Sequence, residues 1–71
     1  MKFNHFEKTL KTECEAGICT FVGNRTHDFY TITALDGLQK EWSLFINRIR
    51  VKKRVSFSTI ASVIWDREHK D

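Results

Sequence analysis

Two runs of β-branched and aromatic residues, Ile18–Gly23 (ICTFVG) and Asp28–Leu35 (DFYTITAL), most constrain what this chain can become. Both read as strands. The connector between them, Asn24-Arg25-Thr26-His27, is short and polar, so an antiparallel hairpin is the economical arrangement. In the second run Tyr30, Ile32 and Ala34 share one face, while Phe29, Thr31, Thr33 and Leu35 share the other. Neither face is purely polar, which marks this strand as central or covered on both sides.

Ahead of the hairpin, Met1–Glu15 reads as a short helix, because Phe3, Phe6, Leu10 and Cys14 recur at steps of three, four and four. Asn4 is its expected cap, and Gly17 lies just past its end. Beyond the hairpin two templates compete. As a helix, Asp36 caps with Gln39 at capping-box spacing, and Leu35, Leu38, Trp42, Phe45, Ile46 and Ile49 form one apolar stripe. As a strand after an Asp-Gly turn, Leu38, Trp42, Leu44 and Ile46 share a face, with Lys40 inside and Phe45 outside. The helix template fits more positions and predicts an amphipathic helix over 37–49. Past Ile49 the period shortens to two. Arg48, Arg50, Lys52 and Arg54 then alternate with a mostly apolar row, so a strand here would line one face with cations. Ser58–His69 reads as a C-terminal helix capped by Ser58, and residues 66–71 are a charged end expected to fray.

These elements predict a single α+β domain over residues 1–71: an N-terminal helix, an antiparallel hairpin, an amphipathic helix, a basic strand or loop, and a C-terminal helix. The alternative is a small five-stranded SH3-like or OB-like barrel behind an N-terminal helix, with Leu38–Ile46, Ile49–Phe57 and Ile60–Trp65 as strands. At 71 residues the core is thin in either case. With 41% hydrophobic and 30% charged residues and no proline, the composition excludes a disordered chain.

Charge is concentrated rather than spread. Arg48, Arg50, Lys52, Lys53 and Arg54 are five of the twelve Lys and Arg residues, packed into seven positions. No Asp or Glu occurs between Glu41 and Asp66, and elsewhere seven basic residues face nine acids. The formal net charge of +3 is therefore the product of one segment. A cation row of this kind neutralises phosphates and releases counterions. Trp42, Phe45, Phe57 and Trp65 flank it, and any left exposed can stack on unpaired bases. The competing reading is a charged edge strand that blocks sheet-to-sheet aggregation.

The stretch Arg54–Asp66 (RVSFSTIASVIWD) resembles the start and body of the recognition helix in helix-turn-helix repressors of the lac repressor class. Val55, Ser56, Thr59, Ile60, Ala61, Val63 and Ile64 occupy matching positions. The resemblance implies that Ser56, Phe57, Ser58 and Thr59 face the DNA groove.

Together these readings predict a small non-enzymatic nucleic-acid-binding protein, DNA-binding or regulatory. Its candidate contacts are Arg48, Arg50, Lys52, Lys53, Arg54, Ser56, Ser58 and Thr59. A small adaptor or inhibitor docking on an acidic or nucleic-acid-handling protein is the competing expectation, and the thin core leaves room for a homodimer. For catalysis the chain offers little: His27 and Asp28 are neighbours that point to opposite faces of a strand, and there is no phosphate-cradling glycine loop or nucleophile elbow. No cofactor is expected. His5, Cys14, Cys19 and His27 are too loosely spaced for a structural zinc knuckle, so no metal is expected and both cysteines read as thiols. With neither a signal peptide nor an apolar run of spanning length, a cytoplasmic protein is expected.

Overall fold

In the computed structural model, which describes residues 2–70, helix α1 (Phe3–Glu13) leads into strands β1 (Ile18–Val22), β2 (Phe29–Ala34), β3 (Trp42–Ile46) and β4 (Ile49–Val55), and helix α2 (Phe57–Glu68) follows. The strands form one sheet in the order β1-β2-β3-β4, every neighbouring pair antiparallel. The α+β expectation holds, with both helices packed on one face of a meander.

Register explains which face is covered. Tyr30 stands opposite Phe21 on one side and Ile46 on the other, Ile32 opposite Cys19 and Leu44, and Ala34 opposite Trp42. Partners across a ladder share a face, so these residues make one continuous apolar surface. Against it lie Leu10 and Cys14 of the first helical segment and Phe57, Ile60, Ala61 and Ile64 of α2. The helices meet through Trp65, whose ring centroid lies 5.7 Å from Phe3 and 5.4 Å from Phe6. Among the described residues no helix covers the opposite face, which presents Thr20, Phe29, Thr31, Thr33, Phe45 and Arg50.

Several expectations are corrected. The amphipathic helix over 37–49 is instead a loop, strand β3 and a tight turn. Trp42, Leu44 and Ile46 alternate into the core while Phe45 points away, as the strand template required. The Asp36-Gly37 region is a loop closed by hydrogen bonds from the Gln39 amide to the Asp36 carbonyl (3.2 Å) and from the Leu35 amide to the Glu41 carbonyl (2.9 Å). The barrel alternative fails because the sheet is open at β1 and β4, and Ile60–Trp65 lies within α2. Asn4 does not cap α1; Lys2 holds that position without a side-chain bond.

The end expected to fray from Asp66 is helical as far as Glu68, and its Arg67 and Glu68 side chains bond back to the β1–β2 loop. Asp71 lies outside the described residues. The cap of α2 is Ser56 rather than Ser58, its hydroxyl accepting from the Thr59 amide at 3.2 Å. Ser56→Ala is expected to lower stability by about 1 kcal/mol, read as a drop in the chemical-denaturation midpoint without a change in slope.

The two cysteines are not free thiols: Cys14 and Cys19 are disulfide-bonded. The turn between them makes this possible. Gly17 adopts φ +91°, donates to the Cys14 carbonyl and accepts from the Ala34 amide. That turn folds the chain back so that the two Cα atoms lie 4.9 Å apart, within bridging range.

Candidate nucleic-acid interface

The basic segment is an edge strand, exposed along nearly its whole length. Its cations do not form the single row that a regular alternation would produce. Ile49 pairs with Ile46 and Arg50 with Phe45, but Lys52 pairs with Leu44 and Val55 with Trp42. Two register shifts, each adding a residue to β4, break the period. Arg50 therefore shares the open face with Phe45, and Lys52 sits on the helix side with Leu44. Val51 and the Lys53-Arg54 pair occupy the irregular stretches, and the charges fan around the edge.

Arg48 enters from the β3–β4 turn. Asn47 and Arg48 both have positive φ, 52° and 71°, the pattern of a two-residue type I′ hairpin turn. Arg54 is also left-handed, at φ 57°. A non-glycine side chain in that region is disfavoured by about 1 kcal/mol, so two of the five clustered cations occupy positions where the backbone alone would favour glycine.

Asn47 ties this turn to the open face. Its side-chain oxygen accepts from the Phe29 amide at 2.9 Å, its amide donates to the Phe29 carbonyl at 2.7 Å, and its side-chain nitrogen donates to Asp28 at 2.9 Å. Phe29 thus sits beside Arg48, both lining a shallow depression with Asn47, and Phe45 sits between Thr31 and Arg50. Each half-buried ring on the open face has a cation next to it.

The strands bring no acids to this surface, and the carboxylates at its margins are already engaged. None of the four strands contains Asp or Glu. Asp28, close to the turn, is bonded to Arg67, and this bond together with that from Asn47 holds its carboxyl below the usual carboxylate range. Glu41 lies 3.7 Å from Arg54 at the other end of β4, a solvent-exposed pair of small energetic weight.

The remaining expected contacts lie elsewhere. Ser56, Ser58 and Thr59 are exposed at the start of α2, separated from Arg48 by the seven residues of β4, about 20 Å at strand rise. The Ser56 and Thr59 hydroxyls are bonded to each other at 2.9 Å. The element before α2 is a strand, so the helix pair implied by the repressor resemblance is not formed. Of the flanking aromatics, Trp42 and Phe57 are buried in the core with ring centroids 4.9 Å apart, and Trp65 is enclosed by Phe3, Phe6 and His69. Phe45 alone of the four reaches the open face. Phe29 joins it there, a position visible in the sequence only as the face opposite Tyr30.

Among the described residues no helix is long and apolar enough to cross a membrane. No family model matches the chain, and neither a curated protein nor a solved structure shows significant similarity to it.

Proposed function

We propose that the protein is a non-enzymatic nucleic-acid-binding protein. Its contact surface is the uncovered sheet face together with the β4 edge. Phosphates are met by Arg48, Arg50, Lys52 and Lys53, with Arg54 at the far end, and unpaired bases lie against Phe29 and Phe45. The observation that carries this reading is the juxtaposition of two aromatic rings and two arginines on a sheet surface without a carboxylate of its own. Edge protection accounts for a charged β4; it does not account for the acid-free aromatic face beside it. A flat sheet with aromatic side chains suits splayed single strands better than a duplex groove. A cytoplasmic setting fits such a ligand.

The test is fluorescence anisotropy with a labelled single strand across a salt series. Affinity should fall with a log–log slope of about −0.7 per phosphate contacted. Arg48→Glu with Arg50→Glu should abolish binding while leaving the melting temperature nearly unchanged. Phe45→Leu should weaken binding by about 1–3 kcal/mol without changing the slope. Arg48→Gly should bind more weakly yet melt higher, because glycine relieves the left-handed backbone. Absence of binding at low salt would overturn the reading in favour of an acidic protein partner.

A further inference from the structure

The two edges of the sheet are built differently. β4 is charged and twice interrupted in register, the devices by which a protein blunts an edge against pairing. β1 has none of them. Ile18–Val22 (ICTFV) carries no charge and no proline, and it pairs with β2 in unbroken register. Ile18 and Val22 are 56% and 55% exposed, large apolar side chains left in water at both ends of the strand.

The unused hydrogen-bonding groups of β1 follow from its ladder. The Ala34 amide donates to the Gly17 carbonyl, and the Gly23 amide donates to the Asp28 carbonyl. In an antiparallel pair the inward-bonding residues alternate. Gly17, Cys19, Phe21 and Gly23 therefore bond to β2 and its flanks, while Ile18, Thr20 and Val22 direct their N–H and C=O groups to the free edge.

We infer that β1 is the interface of a homodimer, in which two copies pair antiparallel about a two-fold axis at Thr20 and join their four-stranded sheets into one. This register satisfies every outward group. Thr20 exchanges bonds with Thr20 of the second copy, and Ile18 exchanges bonds with Val22 of the second copy, twice by symmetry. Side chains match in the same register: β-branched aliphatic against β-branched aliphatic at both ends, hydroxyl against hydroxyl at the centre.

Charge points to a second copy rather than an unrelated strand. Glu15 and Arg25 lie five residues before and five after Thr20. Both are exposed, and neither side chain is in a salt bridge among the described residues. Antiparallel pairing brings the Glu15 end of one β1 toward the Arg25 end of the other, where the neighbouring Glu68 carboxylate is already engaged by the Tyr30 hydroxyl and by the Arg25 and Thr26 donors. An edge contact of this length falls at the small end of specific interfaces, so a concentration-dependent equilibrium is expected rather than an obligate dimer. The inference is independent of the nucleic-acid reading, because β1 and β4 are opposite edges.

Sedimentation equilibrium over a concentration series tests it. The mass should rise from the 8.4 kDa of one chain toward twice that value. Thr20→Pro removes an outward N–H and no bond within the chain, a change an edge strand tolerates, and it should remain monomeric with an unchanged circular dichroism spectrum. Ile18→Lys and Val22→Glu supply a second arm at exposed positions. Each alone should weaken association by about tenfold, since symmetry alters two cross-strand pairs, and the double variant should recover most of the loss by setting opposite charges face to face. A wild-type mass that stays at one chain throughout overturns the inference. A dimer unaffected by these substitutions overturns it equally.

Discussion

Replacing Trp42 with alanine is expected to leave the chain largely unfolded at room temperature. Trp42 is fully buried in β3 and packs edge-on against Phe57 at 4.9 Å. Its indole nitrogen donates to the Gln39 carbonyl at 2.9 Å, so the same residue anchors both α2 and the loop before β3. Truncating a buried tryptophan costs about 3–5 kcal/mol through lost apolar contact and residual cavity. At roughly 0.05–0.15 kcal/mol per residue, 71 residues carry about 4–11 kcal/mol, and a core this thin belongs at the lower end, which the loss removes. Circular dichroism and the near-ultraviolet signal should both collapse. Trp42→Phe, which keeps a ring in the site but forfeits the hydrogen bond, should remain folded with a lower melting temperature. Unchanged melting of Trp42→Ala would refute the assignment of this residue to the core.

The second large effect belongs to Glu68. Its carboxylate accepts from the Tyr30 hydroxyl at 2.6 Å and the Arg25 amide at 2.9 Å, and from the Thr26 hydroxyl and amide. Burial pushes the Glu68 pKa up, but these donors outweigh it and bring the value from 4.5 down to about 2. Because the folded pKa is the lower one, the stabilisation is fully present above about pH 4.5 and is lost as pH falls toward 2. After allowance for solvent screening the loss is on the order of 1–2 kcal/mol. Asp28, also lowered by its bond to Arg67, acts in the same direction.

Glu68→Ala removes the acceptor outright and leaves the fully buried Tyr30 with a weakened set of partners. It should cost about 2–3 kcal/mol, or roughly 10–20 °C in melting temperature for a small domain. Its melting temperature should also fall less between pH 4.5 and 2 than that of the wild type. A pH profile identical to the wild type would remove Glu68 from this role. Gly23 belongs to the same arrangement, since a β-carbon there would collide with the Glu68 carboxylate.

Much of the fold was legible wherever a face was clean. Phe3, Phe6 and Leu10 repeat at helical spacing, and β1 and β2 are rich in branched and aromatic residues, so those three elements follow from pattern alone. β3 did not, for a physical reason. WSLFI sends Trp42, Leu44 and Ile46 into the core and Phe45 onto the open face, and a nearly continuous apolar run carries no period to separate strand from helix. The turn that would have identified a hairpin is hidden too, because Arg48 stands where a type I′ turn favours glycine.

For the candidate site, the amount of charge was readable but its direction was not. The register shift that divides Arg50 from Lys52 arises from pairing between β3 and β4 and leaves no mark on either segment alone. The Cys14–Cys19 bond was likewise invisible, since it depends on the left-handed turn at Gly17. Glu68 could not be found at all from local pattern: its partners lie 38 to 43 positions away.

The meander order also bears on how the chain reaches its structure. Each strand pairs with the next one in sequence, so the sheet closes through short loops, each with a small entropic cost, and can assemble by successive neighbouring hairpins. The contact of Phe3 and Phe6 with Trp65 is different, because it joins segments from opposite ends of the chain. The first helix is therefore the layer that can lift away without breaking a single rung between strands. The Cys14–Cys19 bridge, the Gly17 turn and the bond from the Gln39 side chain to the Glu15 carbonyl (3.0 Å) would keep its root in place, making α1 the expected unit of local opening in an otherwise cooperative domain.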